Sequence, residues 1–380
     1  MTDELRGDPA TVRDAIERAD PLPGGTGFSG RVDGRLVRDI LGREPLFVDA
    51  DDSADEERAW SFEPAPLEDP VLFPAGAATS PADPLPEPES YWSLPDPEPY
   101  APERALASLE RAVETAADAA LGTDHDIAVA FSGGVDSALV AELLDAPLYV
   151  VGFPDSHDVE AARTAADAMG RELTVVELEP ADLERAVPEV VRATGRTNAM
   201  DVQIALPLYL VGERVAADGF DALAVGQGAD ELFGGYEKVV RLDHRVDAET
   251  VRGAVREGIR SLPDQLPRDV LTIEATGLEP VAPLLHDAVI EAALRLPDEL
   301  LADTEERKRG FRRVAAEHLP AEVAQRDKKA VQYGSLVARE LDRLARQAGY
   351  KRRIDDHVDK YVAALCSDGP TERDSSTTSS

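Results

Sequence analysis

Short runs of apolar residues alternate with longer stretches of helical periodicity through the middle of the chain. Strand signals fall at 126–131, 147–153, 172–178 and 220–226, each a near-continuous apolar run of the kind that fills a sheet buried on both faces. Between them lie helical patterns at 136–145, 157–170, 181–193 and 202–218, and an amphipathic helix at 103–121 precedes the series. Strands alternating with helices predict an α/β fold with a parallel sheet covered on both faces. From 239 to about 350 the pattern is helical throughout, broken by Pro and Gly. The N-terminal part reads differently. Residues 10–19 form one short helix, 27–48 alternate like paired strands around Asp33-Gly34, a hairpin signal, and Ala59–Phe62 suggests another strand. Residues 64–102 are rich in Pro and acid with little periodicity, the pattern of an irregular connector. The expected division is therefore a small β-rich region at 1–75, a linker at 76–102, a main domain at 103–365 and a disordered tail at 366–380.

Composition narrows the function. The 380 residues carry 75 acidic and 40 basic side chains, a net charge of -35. Such a surface repels nucleic acid and anionic membranes, and it fits a cytoplasm of high salt, where self-repulsion is screened. No run of 18 apolar residues and no signal-peptide pattern is present, so a cytoplasmic, non-membrane protein is expected. One cysteine, Cys366, excludes disulfides and cysteine metal sites. The six histidines, His125, His157 and His286 among them, show no ligand spacing and read as ordinary polar residues. Lysine is scarce: Lys238, Lys308, Lys328, Lys329, Lys351 and Lys360 are all of it. A lysine kept in a chain that otherwise prefers arginine suggests a need for a point charge.

Two loops carry candidate chemistry. The first follows the strand at 126–131: Phe131-Ser132-Gly133-Gly134-Val135-Asp136-Ser137 turns at its glycines and opens a helix. A bare Ser-Gly-Gly turn needs no ligand. A strand before it and a helix N-terminus after it make an anion-binding device. Asp136 would repel a phosphate unless a divalent cation lay between them, so the stretch points to a magnesium nucleotide. The second loop, Val225-Gly226-Gln227-Gly228-Ala229-Asp230-Glu231-Leu232-Phe233-Gly234-Gly235-Tyr236, follows the strand at 220–226 and brings Asp230 to the same sheet edge. Alone, its carboxylates would be ordinary occupants of a helix N-terminus. Across one sheet from Asp136, they could share a metal.

Ser132–Ser137 resembles the pyrophosphate loop of the N-type (PP-loop) ATP pyrophosphatases, of HUP-like fold, and the two loops together resemble the synthetase domain of the asparagine synthetase family, which includes β-lactam synthetase. The likeness spans about residues 104–340. It includes Val150–Ser156 with Ala161, Ala162 and Ala165, Glu279–Leu285 as a worn ExRxPFLD, Lys308–Arg313 as the K-x-x-L-R-R helix, and Arg326–Lys329. It implies ATP as substrate with Mg²⁺. Phe131, Val151, Gly152, Val225 and Gly226 would line adenine and ribose. Ser132, Gly133, Gly134 and Ser137 would hold pyrophosphate, and Asp136 and Asp230 would hold the metal. Lys308 would act at the α-phosphate and Gln227 beside the acyl-adenylate.

Three departures concern the acceptor. Gln227 replaces the family's Glu, and a carboxamide cannot take a proton. Val281 and His286 replace an Arg and an Asp, and Thr272–Gly277 is shorter than the family's segment. Upstream, Arg38–Phe47 is similar to the RDxxGxKPLYY of a class II glutaminase domain, here without the nucleophilic Cys, so no glutamine hydrolysis by that route is expected. The resemblance implies an AMP-forming amide ligase that adenylates a carboxylate, aspartate first among them. Ammonia would come from solution or a partner, and a homodimer is open. The same chemistry on another carboxylate, or a non-catalytic ATP-binding or regulatory role, stands as the alternative. An RNA-modifying relative is disfavoured by charge and cysteine count.

Overall fold

In the computed structural model, residues 4–50, 57–236, 248–303, 305–326, 336–351 and 356–367 are described. The centre is a five-stranded sheet, every pair parallel. Its strands are β8 (Ile127–Ala130), β9 (Leu148–Gly152), β10 (Leu173–Glu177), β11 (Ala222–Ala224) and β12 (Glu279–Val281), in the order β10-β9-β8-β11-β12. The alternation of side chains along each strand sorts them into two cores. Val129, Leu148, Val150, Ala222 and Ala224 pack with α2 (Pro102–Leu121), α3 (Val135–Leu144) and α4 (His157–Met169). Ala128, Tyr149, Val151 and Leu223 pack with α5 (Pro180–Thr194) and α6 (Ala199–Ala217) on the other face. This is the α/β architecture expected from the sequence, helices covering both faces of a parallel sheet.

One strand was not expected. Glu279–Val281 lies in the stretch read as helical throughout, yet it pairs with β11, Pro280 opposite Leu223. It is three residues long and an edge strand, a position that tolerates a proline lacking its N–H.

The chain departs from β8 to β9 on one side of the sheet and returns to β11 on the other. A parallel sheet opens a crevice at such a switch point, beyond the carboxyl ends of its strands. Beyond β11 come α7 (Ala229–Phe233), α8 (Val251–Arg260), α9 (Leu262–Glu274), α10 (Asp287–Leu294), α11 (Asp298–Leu301), α12 (Arg309–His318), α13 (Ala321–Ala324), α14 (Val337–Gln347) and α15 (His357–Ser367). Cys366 and Ser367, expected in a disordered tail, end α15; residues 368–380 lie outside those described, as do Lys238, Lys328 and Lys329.

The N-terminal region holds α1 (Pro9–Arg18) and two small antiparallel sheets. One has the order β1 (Glu4–Arg6), β2 (Ser29–Val32), β3 (Arg35–Arg38), β7 (Ala77–Thr79); the other has β5 (Trp60–Ser61), β4 (Phe47–Asp49), β6 (Pro70–Leu72). The expectation of an irregular connector over 64–102 gives way here. Strands β6 and β7 lie within it, β7 pairs with β3 across the expected division at residue 75, and Trp92 is wholly buried. Proline content hid these strands, each only three residues long.

The region docks through buried arginines. Arg38 donates to the carbonyls of Gly42, Glu44, Phe73 and Pro263, and burial pulls its guanidinium down to about 10. Arg43 donates to Asp39 Oδ1 at 2.9 Å and, across the molecule, to Asp287 Oδ1 at 2.7 Å and the Leu285 carbonyl at 2.8 Å. The other oxygen of Asp287 accepts from the backbone of Gly24 and Gly25. The Arg-Asp pair at 38–39, read from sequence as a glutaminase-like motif, is thus part of a docking joint.

Candidate active site

A cavity of about 580 Å³ opens at the switch point. Its first wall is built by the loop after β8. Gly133 takes φ 71°, and a Cβ there would lie 2.6 Å from the Ala161 carbonyl, so the loop can pack on α4 only as glycine. Gly134 stands at the N-cap of α3 with no capping side chain, leaving the first-turn N–H groups pointing along the helix axis. Ser137 Oγ accepts from the Ser132 backbone N–H at 3.1 Å and lies 3.1 Å from Ser132 Oγ, closing the loop on itself. The second wall comes from the loop after β11. At Gly226 a Cβ would meet the Asp136 backbone at 2.8 Å, so the two loops touch through a glycine.

Between them sits Lys308, at the N-cap of α12 in the left-handed region, φ 57°. Its Nζ donates to both oxygens of Asp136 at 2.8 Å and lies 2.5 Å from Asp230 Oδ1. Lys308 and Asp136 are buried, while Asp230 is 46% exposed on the cavity side. Burial alone would lower the Lys308 amine, but the two carboxylates outweigh it and hold the amine above its ordinary value. Phe233 and Phe311 stack behind this cluster at 4.6 Å. Arg312 fixes the flanking turns through the carbonyls of Arg307, Ala324 and Arg326, and Arg326 in turn holds the Ala161 carbonyl.

Of the residues singled out from sequence, Phe131, Ser132, Asp136, Ser137, Val151, Val225, Gly226, Gln227, Asp230 and Lys308 line this one cavity. Gly133, Gly134 and Gly152 are not among its lining residues. At Gly152 the missing Cβ makes room for Ser156 Oγ, which caps α4. Val281 and His286, expected near the acceptor, are not among the lining residues. Val281 pairs in β12, and His286 caps α10 through Nδ1, with its imidazole held below its ordinary value by burial.

The cavity has two ends. Ile204, Pro207, Leu208 and Val211 of α6, with Tyr149, Val151 and Val225, make an apolar end. The other end is polar: Glu231 and Tyr236, both in the second loop read from sequence, line it beside Gln227, together with Gln265, Arg268 and Asp269, which sequence did not single out. Tyr236 donates to Glu231 Oε1 at 2.5 Å, and burial raises the Glu231 carboxyl. Arg268 and Asp269 sit on α9, some forty residues from the loop they face, and no local spacing joins them to it. Asp158, buried in the first turn of α4, also reaches the cavity.

The family model for asparagine synthase matches residues 108–265 and 244–366, which takes in every wall of this cavity. The chain belongs to the asparagine synthase family. A putative glutamine-hydrolysing asparagine synthetase of Methanocaldococcus jannaschii is 28% identical over 304 residues, covering 70% of this chain and 56% of that protein. The glutamine-hydrolysing asparagine synthetase B of Escherichia coli is 23% identical over 244 residues, 58% of this chain and 43% of that one. The chain thus spans about half the length of these relatives. Among solved structures, a U34-tRNA thiolase from Methanococcus maripaludis with its [4Fe-4S] cluster overlaps 72% of this chain and 84% of its own, at 14% identity and a TM-score of 0.30, too low to bear on fold or function. Membership places the chain in a family whose curated relatives here are asparagine synthetases. No helix among the described residues is long and apolar enough to cross a membrane.

Proposed function

We propose that the chain is an AMP-forming amide ligase that adenylates a carboxylate, aspartate first among candidates, and transfers it to ammonia. The observation that carries this reading is Lys308 bridging Asp136 and Asp230 at the mouth of an uncapped helix N-terminus. Adenine occupies the apolar end against Tyr149, Val151 and α6. The phosphates lie along Ser132–Ser137, where first-turn N–H groups receive anions.

Two carboxylates from separate loops are a hard-oxygen donor set that suits Mg²⁺ together with phosphate oxygens. Asp136 and Asp230 would hold the ion, whose chemistry is to neutralise charge on the phosphates. Lys308 already balances both carboxylates in the site described, so it turns from them toward the α-phosphate as the nucleotide enters. There its fixed charge meets the negative charge that develops during transfer. The acceptor carboxylate oxygen bonds to the α-phosphorus, the bond to the β-phosphate oxygen breaks, and pyrophosphate leaves. Ammonia then bonds to the acyl carbon, the bond to AMP breaks, and a proton passes to solvent. Cys366 is exposed at the end of α15 and does not line the cavity; in this reading the nitrogen is ammonia, from solution or from a partner.

The test is pyrophosphate release from ATP and Mg²⁺ in molar KCl, across amino acids with and without ammonia. Release that depends on aspartate and ammonia, with asparagine formed, establishes the reading. Release with another carboxylate keeps the chemistry and changes the acceptor. ATP binding with no release under any condition overturns it in favour of a sensor or scaffold, the reading that the Glu-to-Gln departure at Gln227 favours.

A further inference from the structure

The polar end of the cavity explains why a carboxamide stands at position 227. The Gln227 Nε2 donates to Asp269 Oδ2. Asp269 is buried, and Arg268 grips both its oxygens, Nε on Oδ1 at 2.7 Å and Nη2 on Oδ2, the oxygen shared with Gln227, at 2.9 Å. The remaining arm of Arg268 donates at 2.9 Å to Asp201 Oδ1 on α6. Gln227, Arg268 and Asp269 all face the same cavity.

An amide that gives one N–H to Asp269 keeps its second N–H and its carbonyl Oε1, and Oε1 is the one atom of the group that accepts. Turning the amide over would set Oε1 against Asp269 Oδ2, two acceptors with no hydrogen between them. A glutamate at 227 would do the same and add a second negative charge to a carboxylate already shared by one guanidinium. Positions 227 and 269 are therefore a matched pair of one carboxamide and one carboxylate.

Building on the ligase reading, we infer that Asp269 is a positioning residue that locks Gln227 so that its Oε1 accepts a hydrogen bond from the nitrogen nucleophile. Gln227 takes an N–H hydrogen bond and no proton. The nucleophile therefore binds as a neutral amine, ammonia or a slender primary amine, with its lone pair already free. Gln227 itself takes no proton from ammonium, and the carboxylates that face it in the same cavity are Asp269, Glu231 and Asp230. Below the pKa of ammonium, kcat/KM for total ammonia then rises about tenfold per pH unit, following the free base.

The experiment uses the full chain as wild type, Asp269→Asn, Gln227→Glu and the double variant, and reads KM for total ammonia, KM for ATP, and the thermal midpoint. Asp269→Asn frees the amide to rotate; it is expected to raise the ammonia KM about tenfold, the loss of one oriented hydrogen bond, and to leave the ATP KM within about twofold. Gln227→Glu is expected to lower the midpoint by setting two carboxylates face to face. In the double variant the carboxamide introduced at 269 donates to the carboxylate introduced at 227, and most of both losses returns. A double variant no better than the worse single one, or an unchanged ammonia KM in Asp269→Asn, overturns the inference. Failure of the ligase reading is seen separately, in a wild type that forms no amide with any amine. In that case the nucleophile assignment falls with it, and the midpoints still decide whether the two positions are matched.

Discussion

Arg43 and Lys308, two of the buried cations among the described residues, each stand between two carboxylates. Arg43 joins Asp39 to Asp287, and the three side chains are 3%, 0% and 2% exposed. Lys308 joins Asp136 to Asp230 at similar distances, but Asp230 opens onto a cavity of about 580 Å³. The charge pattern is the same and the cation is not. A guanidinium has a planar fork that fixes direction, whereas an ammonium is a compact charge on a flexible stem that can turn to another anion without losing its donors. The first arrangement is a permanent joint, sealed from any competitor. The second is an ion pair that an anion entering the cavity can reach and rearrange.

The sharpest way to break this comparison is to remove each cation. Lys308→Met is expected to cut pyrophosphate release by about 10³-fold, on the scale of losing a fixed transition-state charge, with ATP binding measurable by calorimetry. Release within tenfold of wild type would deny the lysine its role. Arg43→Met leaves Asp39 and Asp287 buried without their cation; it is expected to cost about 3–5 kcal/mol in urea unfolding, with ATP affinity kept by the folded fraction. A midpoint like wild type would mean that the joint carries no stability. Exchanging the cations sharpens the contrast. Lys308→Arg should lose activity while the fold holds, and Arg43→Lys should cost about 1–2 kcal/mol for hydrogen bonds no longer made, with turnover unchanged.

The smallest effect concerns pH. Burial raises the Glu44 carboxyl, beside Arg6 at the docking face, from 4.5 to about 7. A raised carboxyl binds its proton more tightly when folded, so stability falls as pH rises from about 4.5 to about 7. Glu44→Gln should flatten that slope in melting curves recorded across this window; an unaltered slope would place its origin elsewhere.

The two loops of the site were legible because their chemistry is local: glycines, serines and aspartates adjacent in sequence build one turn each, and the apolar runs before them are strands of a buried sheet. The part of the polar end made by Gln265, Arg268 and Asp269 was not. Gln227 could be read only as a departure, since Arg268 and Asp269 reach it from a helix whose own pattern is that of any amphipathic helix. The joint was hidden for the same reason: Arg43 and Asp287 are partners across the fold and bear no relation in sequence. The strand Glu279–Val281 escaped because three residues with a central proline carry no period, and its apolar neighbours continue a helical pattern. What the sequence withheld is what tertiary structure alone brings together.

The joint at Arg43 also has a consequence in time. Asp287 lies 244 residues further along the chain than Arg43. At a translation rate of about 5–20 residues per second, the ribosome needs about 12–50 s to supply it. Through that interval the hairpin and small sheets of the N-terminal region have emerged with Arg43 held by Asp39 alone, and the face that will cover α10 has nothing to cover. Synthesis of this protein therefore includes a waiting period set by the length of its main domain, during which the N-terminal region depends on chaperones or on its own small core to stay out of trouble.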